Sequence, residues 1–260
     1  MNWGKLILRR VLISVGLVVS VVVAWQLIIL LFKPPAWLFP SPMAVWDRFR
    51  ELWSGNALQP HIRTTAIEVM AGYLCGILLG VFSAYPISQL RTLEKIITPY
   101  LIAANSVPLV AFAPLLILWL GNDMETKIAV AAIIVYFPVT ISAITGFHAQ
   151  SAIHTRLMHS LRANKWQRFI HLELPSAIPG ILAGMKIAAP LAVVGAVVGE
   201  FLGTGQGLGH LIMEANGLLD TPQLFVSVII LAMFGILFYL STLGLEMLLI
   251  GPWHHKRRTS

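Results

Sequence analysis

The sequence predicts an all-α integral membrane protein with six transmembrane helices. Hydrophobic residues fill 57% of the 260 positions, and only 11% are charged, whereas a soluble domain averages about 25%. Five runs of 22 to 28 residues contain no Asp, Glu, Lys or Arg. A helix needs roughly 20 apolar residues to cross the hydrocarbon core. A spanning strand would instead alternate over about 10 residues, so these continuous runs favour helices.

The runs set the approximate bounds of the six spans. They fall at about 11–32, 66–88, 97–120, 126–146, 177–200 and 223–248. The basic N-terminus followed by the first run resembles a signal sequence. However, 22 apolar residues are long for one, and Lys33-Pro34-Pro35 follows instead of a small-residue cleavage site. We therefore expect a retained first span and a single transmembrane domain over residues 1–260.

The distribution of Lys and Arg predicts the orientation. With the N-terminus inside, the inner segments hold 13 of the 18 basic residues and the outer segments hold 5. Basic residues accumulate on cytoplasmic loops, so both termini are expected in the cytoplasm. The first outer loop, residues 33–65, carries four of the five outer positive charges and three tryptophans. Part of it is expected to lie at the interface as an amphipathic helix.

Small residues recur along two of the predicted spans. Gly72, Gly76 and Gly80 lie one helical turn apart in span 2, and span 5 carries a similar series. Such stripes let helix backbones approach closely. The pattern fits either packing within the chain or an interface with another subunit.

Polar and helix-breaking residues in two spans are candidates for a solute path. Proline removes a backbone hydrogen bond and kinks a helix, and freed carbonyls are tolerated where they face protein or water. An acidic residue at the edge of a span is usually functional or paired. The glycine-rich run 203–209 that follows span 5 is expected to form a turn or re-entrant element. The candidate path residues are Asn105, Ser106, Pro108, Pro114 and Glu200.

Motifs for catalysis or nucleotide binding are absent from the sequence. It contains no GxxxxGK[ST], HExxH or GxSxG pattern and one cysteine, Cys75. The histidines of the long inner loop lack metal-ligand spacing, and a solvated helix face explains them better. We therefore expect no catalytic residue, cofactor or metal in this chain. If the chain is part of a transporter, we expect the energy for transport to come from another subunit.

The long inner segment, His154–Pro179, carries the most functional information. It is basic and polar between apolar spans, and residues 155–172 can form one amphipathic helix. Pro175 or Ser176 would start the next helix. Such a helix either lies on the membrane or docks a soluble partner. Its apolar positions are Leu157, Leu161, Trp166, Phe169 and Ile170.

The spacing L-x-A-x-x-W-Q-x-F-x-x-x-x-L-P-x-A-x-P-G-I in this segment resembles the cytoplasmic EAA loop of binding-protein-dependent ABC importer permeases. Further motifs are similar to the nitrate, sulfonate and taurine branch: Phe39-Pro40-Ser41-Pro42, Phe137-Pro138, the P-x5-P-L-x3-W-x-G pattern from Pro108, and Glu200 with Gly207-Leu208-Gly209. Together they cover residues 36–250. The residues matching the loop are Leu161, Ala163, Trp166, Gln167, Phe169, Leu174, Pro175, Ala177, Pro179, Gly180 and Ile181.

This resemblance implies a type I permease whose loop, at about 148–176, forms a coupling helix on an ATPase subunit. Two permease copies, two ATPase subunits carrying ATP and Mg, and an external binding protein would complete the importer. The implied solute is a small sulfonate, nitrate, taurine or pyrimidine-type nutrient. The implied coupling residues are Arg156, Leu161, Arg162, Ala163, Trp166, Phe169 and Pro175.

The loop departs from the family pattern at four positions, two of which are Leu157 and Met158, where the family has alanines. The family's glutamate falls on Arg156, and its loop glycine falls on Arg162. We hypothesise that the partner ATPase has a compensating acidic groove. The alternative functions are a self-contained secondary transporter or channel with a membrane-surface loop, and a structural membrane subunit without a solute path.

Overall fold

The computed structural model describes residues 3–106, 111–203 and 205–255, and every regular element within them is helical. A π-helical turn, Phe169–Glu173, separates α8 from α9. The α-helices are α1 Trp3–Phe32, α2 Pro42–Ser54, α3 Leu58–Gln89, α4 Arg91–Ser106, α5 Ala113–Leu120, α6 Met124–His148, α7 Ala152–Ser160, α8 Lys165–Arg168, α9 Leu174–Leu202, α10 Leu208–Leu218 and α11 Thr221–His255.

Within the described residues, four helical stretches are long and apolar enough to cross a membrane. They are Leu58–Gln89, Met124–His148, Lys165–Phe201 and Thr221–Leu249. Residues 16–32 of α1 form a shorter apolar helix. These results confirm an all-α multi-pass membrane protein and the positions of predicted spans 2, 4, 5 and 6. The total of six spans stays a prediction.

The prediction of one helix over residues 97–120 is wrong. The described part of this stretch forms α4 and α5, and α5 begins only after Phe112. Pro114 lies in the first turn of α5, which explains why a new helix begins there. A proline there lacks only an N–H that has no partner within the helix. Neither α4 nor α5 alone has the length of a span.

The helices form two compact units, residues 1–59 with 211–229 and residues 60–210 with 230–260. In the first unit, α2 supplies the amphipathic helix predicted for residues 33–65. Ser41 caps it by accepting a hydrogen bond from the Ala44 N–H at 3.1 Å, and Pro42 occupies the first turn. The Phe39–Pro42 motif thus starts this helix.

An ion pair joins α2 to the start of α11 within the first unit. The Arg48 guanidinium lies 2.6 Å from the Asp220 carboxylate and donates to Gln223 at 2.9 Å. Burial alone would lower the pKa of Arg48, but hydrogen bonds and the charges of Glu51 and Asp220 outweigh it and raise that pKa. Arg48 therefore remains a cation at any working pH.

In the second unit, α6 lies between α3 and α9. Both neighbours come close to Ala131 of α6. A Cβ added at Gly72 of α3 would lie 2.5 Å from the Ala131 Cβ, and a Cβ added at Gly195 of α9 would lie 2.6 Å from the Ala131 Cα. Gly146 and Gly180 bring α6 and α9 equally close further along. The structure thus confirms packing within the chain for the glycine stripes of spans 2 and 5.

Candidate functional site

The long inner segment begins with α7, which exposes an apolar stripe. Ser151 caps the helix by accepting from the Ile153 N–H at 3.3 Å. Ile153, Leu157 and Leu161 follow at intervals of four residues, and they are 75%, 53% and 67% exposed. Because residues four apart share a helix face, these side chains form one surface, which we call the α7 stripe.

The prediction of one helix over residues 155–172 is wrong, because α7 ends at Ser160. Arg162 adopts a left-handed backbone with φ of 53°. Asn164 then starts α8 with a capping box. Its side chain accepts from the Gln167 N–H at 2.7 Å, and the Asn164 N–H donates to the Gln167 side chain at 2.9 Å. The family's glycine position is therefore a left-handed turn, a conformation that costs an L-residue about 1–2 kcal/mol.

A buried carboxylate ties the end of the loop to α3. Glu173 is 1% exposed and accepts from Arg168 Nε at 2.6 Å and from the Tyr85 hydroxyl at 3.0 Å. The π-helical turn brings residues five apart onto one side, which places Arg168 beside Glu173. Sequence reasoning missed Glu173, although it is the one acidic residue of the basic segment.

The predicted coupling residues lie mostly on the surface of this segment. Trp166 is 68% exposed and stacks on the half-buried Phe169 with ring centroids 5.8 Å apart. Arg156 and Arg162 are exposed, and neither forms an ion pair within the described part of the chain. Ala163 and Pro175 are half-buried. The helix containing Pro175 starts before it, at Leu174, and runs on from the π-helical turn.

A second site, the buried ionic cluster, consists of Glu68, Lys127 and Glu200. These residues come from α3, α6 and α9, and their side chains are at most 7% exposed. The Lys127 ammonium lies 3.5 Å from the Glu68 carboxylate and donates to the Gln206 carbonyl at 3.3 Å. Lys127 thus pairs with Glu68, and the Glu200 carboxyl group lies beside Glu68, within helices that span the membrane. Such groups are costly there and mark functional positions.

Glu200 is held by the turn that follows α9. It accepts hydrogen bonds from the Thr65 hydroxyl and from the Gly209 N–H, both at 2.5 Å. Gly207 has φ of 142°, and a Cβ there would overlap the Glu200 carboxyl group. The E…GLG pattern therefore encodes a carboxylate enclosed by its own glycine turn, and the turn predicted for residues 203–209 is seen in the described part of that run.

Replacing Gly207 by Ala is expected to destabilise the protein more than replacing Gly205 by Ala. Both glycines have a φ near 140°, but a Cβ at Gly205 meets nothing within 4 Å. The overlap with Glu200 should cost about 1–3 kcal/mol beyond the shared backbone strain. Thermal unfolding of both variants in detergent measures the difference. Equal midpoints would show that Glu200 does not need the space at Gly207.

The structure separates the predicted path residues. Asn105 and Pro114 are exposed, whereas Glu200 is fully buried in the ionic cluster. Ser106 ends α4, and Pro108 lies outside the described residues. Ala113, next to Pro114, packs against Val198 of α9, so α5 lies near the α9 segment that carries Glu200. A path along these residues stays a prediction.

Among the described residues, no group of three or more His, Cys, Asp or Glu side chains could hold a metal ion. The α7 stripe offers an exposed apolar surface, and the ionic cluster offers charge pairing inside the membrane. The apolar helices define a multi-pass membrane protein.

Comparison with known proteins identifies the family. Residues 76–250 match the binding-protein-dependent transport system inner membrane component family. A probable ABC transporter permease of Haemophilus influenzae is 32% identical over 91% of this chain and 95% of its own length. The riboflavin transport system permease of Chloroflexus aurantiacus is 34% identical over 88% and 85%. The chain belongs to this family of ABC transporter permeases.

Another relative fits the predicted branch. The formylaminopyrimidine transport permease of Halalkalibacterium halodurans is 32% identical over 90% of this chain and 93% of its own length. The resemblance drawn from the loop and the E…GLG pattern is therefore confirmed at the level of the family. The roles of the individual loop and path residues stay predictions.

Proposed function

We propose that this chain is the membrane-spanning subunit of an ATP-driven importer for a small organic or inorganic nutrient, and that its α7 stripe docks a separate ATPase. The observation that carries the proposal is the stripe itself, three large apolar side chains exposed on a loop outside the spans. Exposed apolar patches of this kind mark interaction sites.

The energy source lies on a partner. The chain has no phosphate-binding GxxxxGK[ST] motif, so ATP and Mg would be bound by two ATPase subunits. A second permease copy and an external solute-binding protein complete the assembly. Arg156 and Arg162 present two exposed cations beside the stripe. We therefore expect an acidic groove on the ATPase that receives α7.

The docked loop is connected directly to the membrane-spanning helices, so its movement would reach them. The loop continues through α8 and the π-helical turn into α9 as one apolar stretch, Lys165–Phe201. Glu173 joins that stretch to Tyr85 of α3 at 3.0 Å. When ATP-driven closure displaces α7, α9 moves with it. This displacement would switch access to the predicted path, whose candidate residues are Asn105, Ser106, Pro108, Pro114 and Glu200.

Six spans with both termini in the cytoplasm fit this assembly. The four long apolar stretches account for four spans. In this proposal α1, with 30 residues, supplies another, and α4 and α5 together supply the last. The loop then faces the cytoplasm, where the ATPase is. Named relatives carry riboflavin, formylaminopyrimidine, sulfonates and taurine, so the expected solute is a nutrient of that size.

ATP-dependent uptake tests the proposal. Membranes containing the tagged chain should yield a copurifying ATPase, and vesicles containing the complex should accumulate solute only with ATP and a loaded binding protein. The candidate solutes are riboflavin, formylaminopyrimidine, taurine and an alkanesulfonate. A hydrolysis-deficient ATPase is the control and should abolish uptake. Uptake by the chain alone would instead establish a self-contained secondary transporter or channel.

A further inference from the structure

An apolar groove of about 890 Å³ opens between α3 and the start of the Lys165–Phe201 stretch. Leu78 and Phe82 form part of one wall, and Lys165 and Trp166 form part of the other. The volume lies within the roughly 300–1,000 Å³ of small-molecule sites. Phe82 is 84% exposed and Leu78 is 68% exposed, so nothing else in the second unit covers this wall.

The position of the groove indicates what enters it. Its α3 wall belongs to a helix apolar enough to span the membrane, so this wall faces the hydrocarbon. Trp166 is an exposed residue of the groove's lining, at the start of the second stretch. Tryptophan concentrates at the interface between lipid tails and water. A molecule with an apolar chain and a head at that interface fits both features.

The charge at the mouth of the groove indicates which kind of polar headgroup binds there. Lys165 is exposed and forms no ion pair with any described residue, whereas its neighbour Arg168 is held by Glu173 at 2.6 Å. The Lys165 ammonium is therefore an uncompensated cation above an apolar groove. A long lysine stem can follow the wall while its ammonium stays at the interface. Basic pockets between spanning helices bind anionic headgroups.

We propose that this groove binds a phospholipid with an anionic headgroup. One acyl chain lies along Leu78 and Phe82 of α3, and the phosphate pairs with Lys165. The lipid would bridge α3 and the start of α8. This inference does not depend on the proposed docking of an ATPase, because its test measures lipid binding alone.

Native mass spectrometry of the full-length chain, titrated with phosphatidylglycerol and phosphatidylcholine, tests the proposal. One basic residue near the headgroup should favour phosphatidylglycerol about fivefold. Lys165→Glu should abolish this preference. Lys33→Glu is the matched control, since Lys33 is exposed and outside the groove, and this variant should keep the preference.

A second variant tests the groove without changing its charge. Leu78→Trp fills the wall and should reduce the binding of both lipids while Lys165 remains. Equal binding of both lipids by the unchanged chain, or undiminished binding by Leu78→Trp, would overturn the proposal. So would a disulfide-linked dimer formed through Phe82→Cys in a Cys75→Ser background, because a second copy would then occupy the groove.

Discussion

Replacing Leu161 by Asp is expected to abolish copurification of the ATPase while leaving the membrane protein folded. Leu161 ends α7 and is 67% exposed, so the change costs little within the chain. In the complex, the carboxylate would be buried without a partner against the docked surface. Truncating a central interface anchor costs roughly 2–4 kcal/mol, and an unpaired buried charge adds to this. Binding should weaken about 30-fold or more.

Pull-down of the ATPase by tagged chain, with thermal unfolding of the chain alone, measures the two effects separately. Leu219→Asp is the matched control, because Leu219 is 68% exposed and belongs to the connection between α10 and α11, not to the loop. This variant should retain the ATPase. Normal retention by Leu161→Asp would show that the α7 stripe is not the docking surface.

The sequence predicts the long spans well because their signal is local. Runs without charged residues are sufficient to indicate α3, α6 and α11. The end of α7 is harder, because Arg162 occupies a left-handed turn without the glycine that usually signals one. The start of α8 was readable, since Asn164 and Gln167 have the spacing of a capping box. The apolar periodicity over residues 155–172 conflicts with that signal, because it favours one continuous helix.

For the ionic cluster, the sequence predicts the depth of the residues but not their pairing. Glu68, Lys127 and Glu200 each lie near the end of a predicted span, and the predicted topology puts all three ends on one side. Their common depth was therefore available from the sequence. Their pairing was not, because it depends on α6 lying between α3 and α9. The small residues that set this arrangement, such as Gly72 and Gly195, indicate close approach without naming the partner helix.

Replacing Lys127 by Met is expected to be among the most destabilising substitutions in the chain. Met keeps the length of the stem, which packs against Gly199 and Gly203, but it removes the ammonium that lies 3.5 Å from Glu68. Glu68 would then be buried beside Glu200 without the cation that pairs with it. Removing one partner of a buried ion pair costs about 3–5 kcal/mol. The midpoint of thermal unfolding in detergent should fall by several degrees.

A second substitution separates charge from packing. Glu68→Gln removes one carboxylate of nearly the same shape, so the double variant Lys127→Met with Glu68→Gln should recover part of the loss. The expected coupling between the two positions is about 0.5–3 kcal/mol. Lys33→Met, at an exposed site, is the control and should change the free energy of unfolding by less than about 0.5 kcal/mol. Strictly additive effects would mean that the Lys127 ammonium acts through its bond to the Gln206 carbonyl and not through Glu68. Coupling would show that the cation is needed because Glu68 is buried in the membrane-spanning helices.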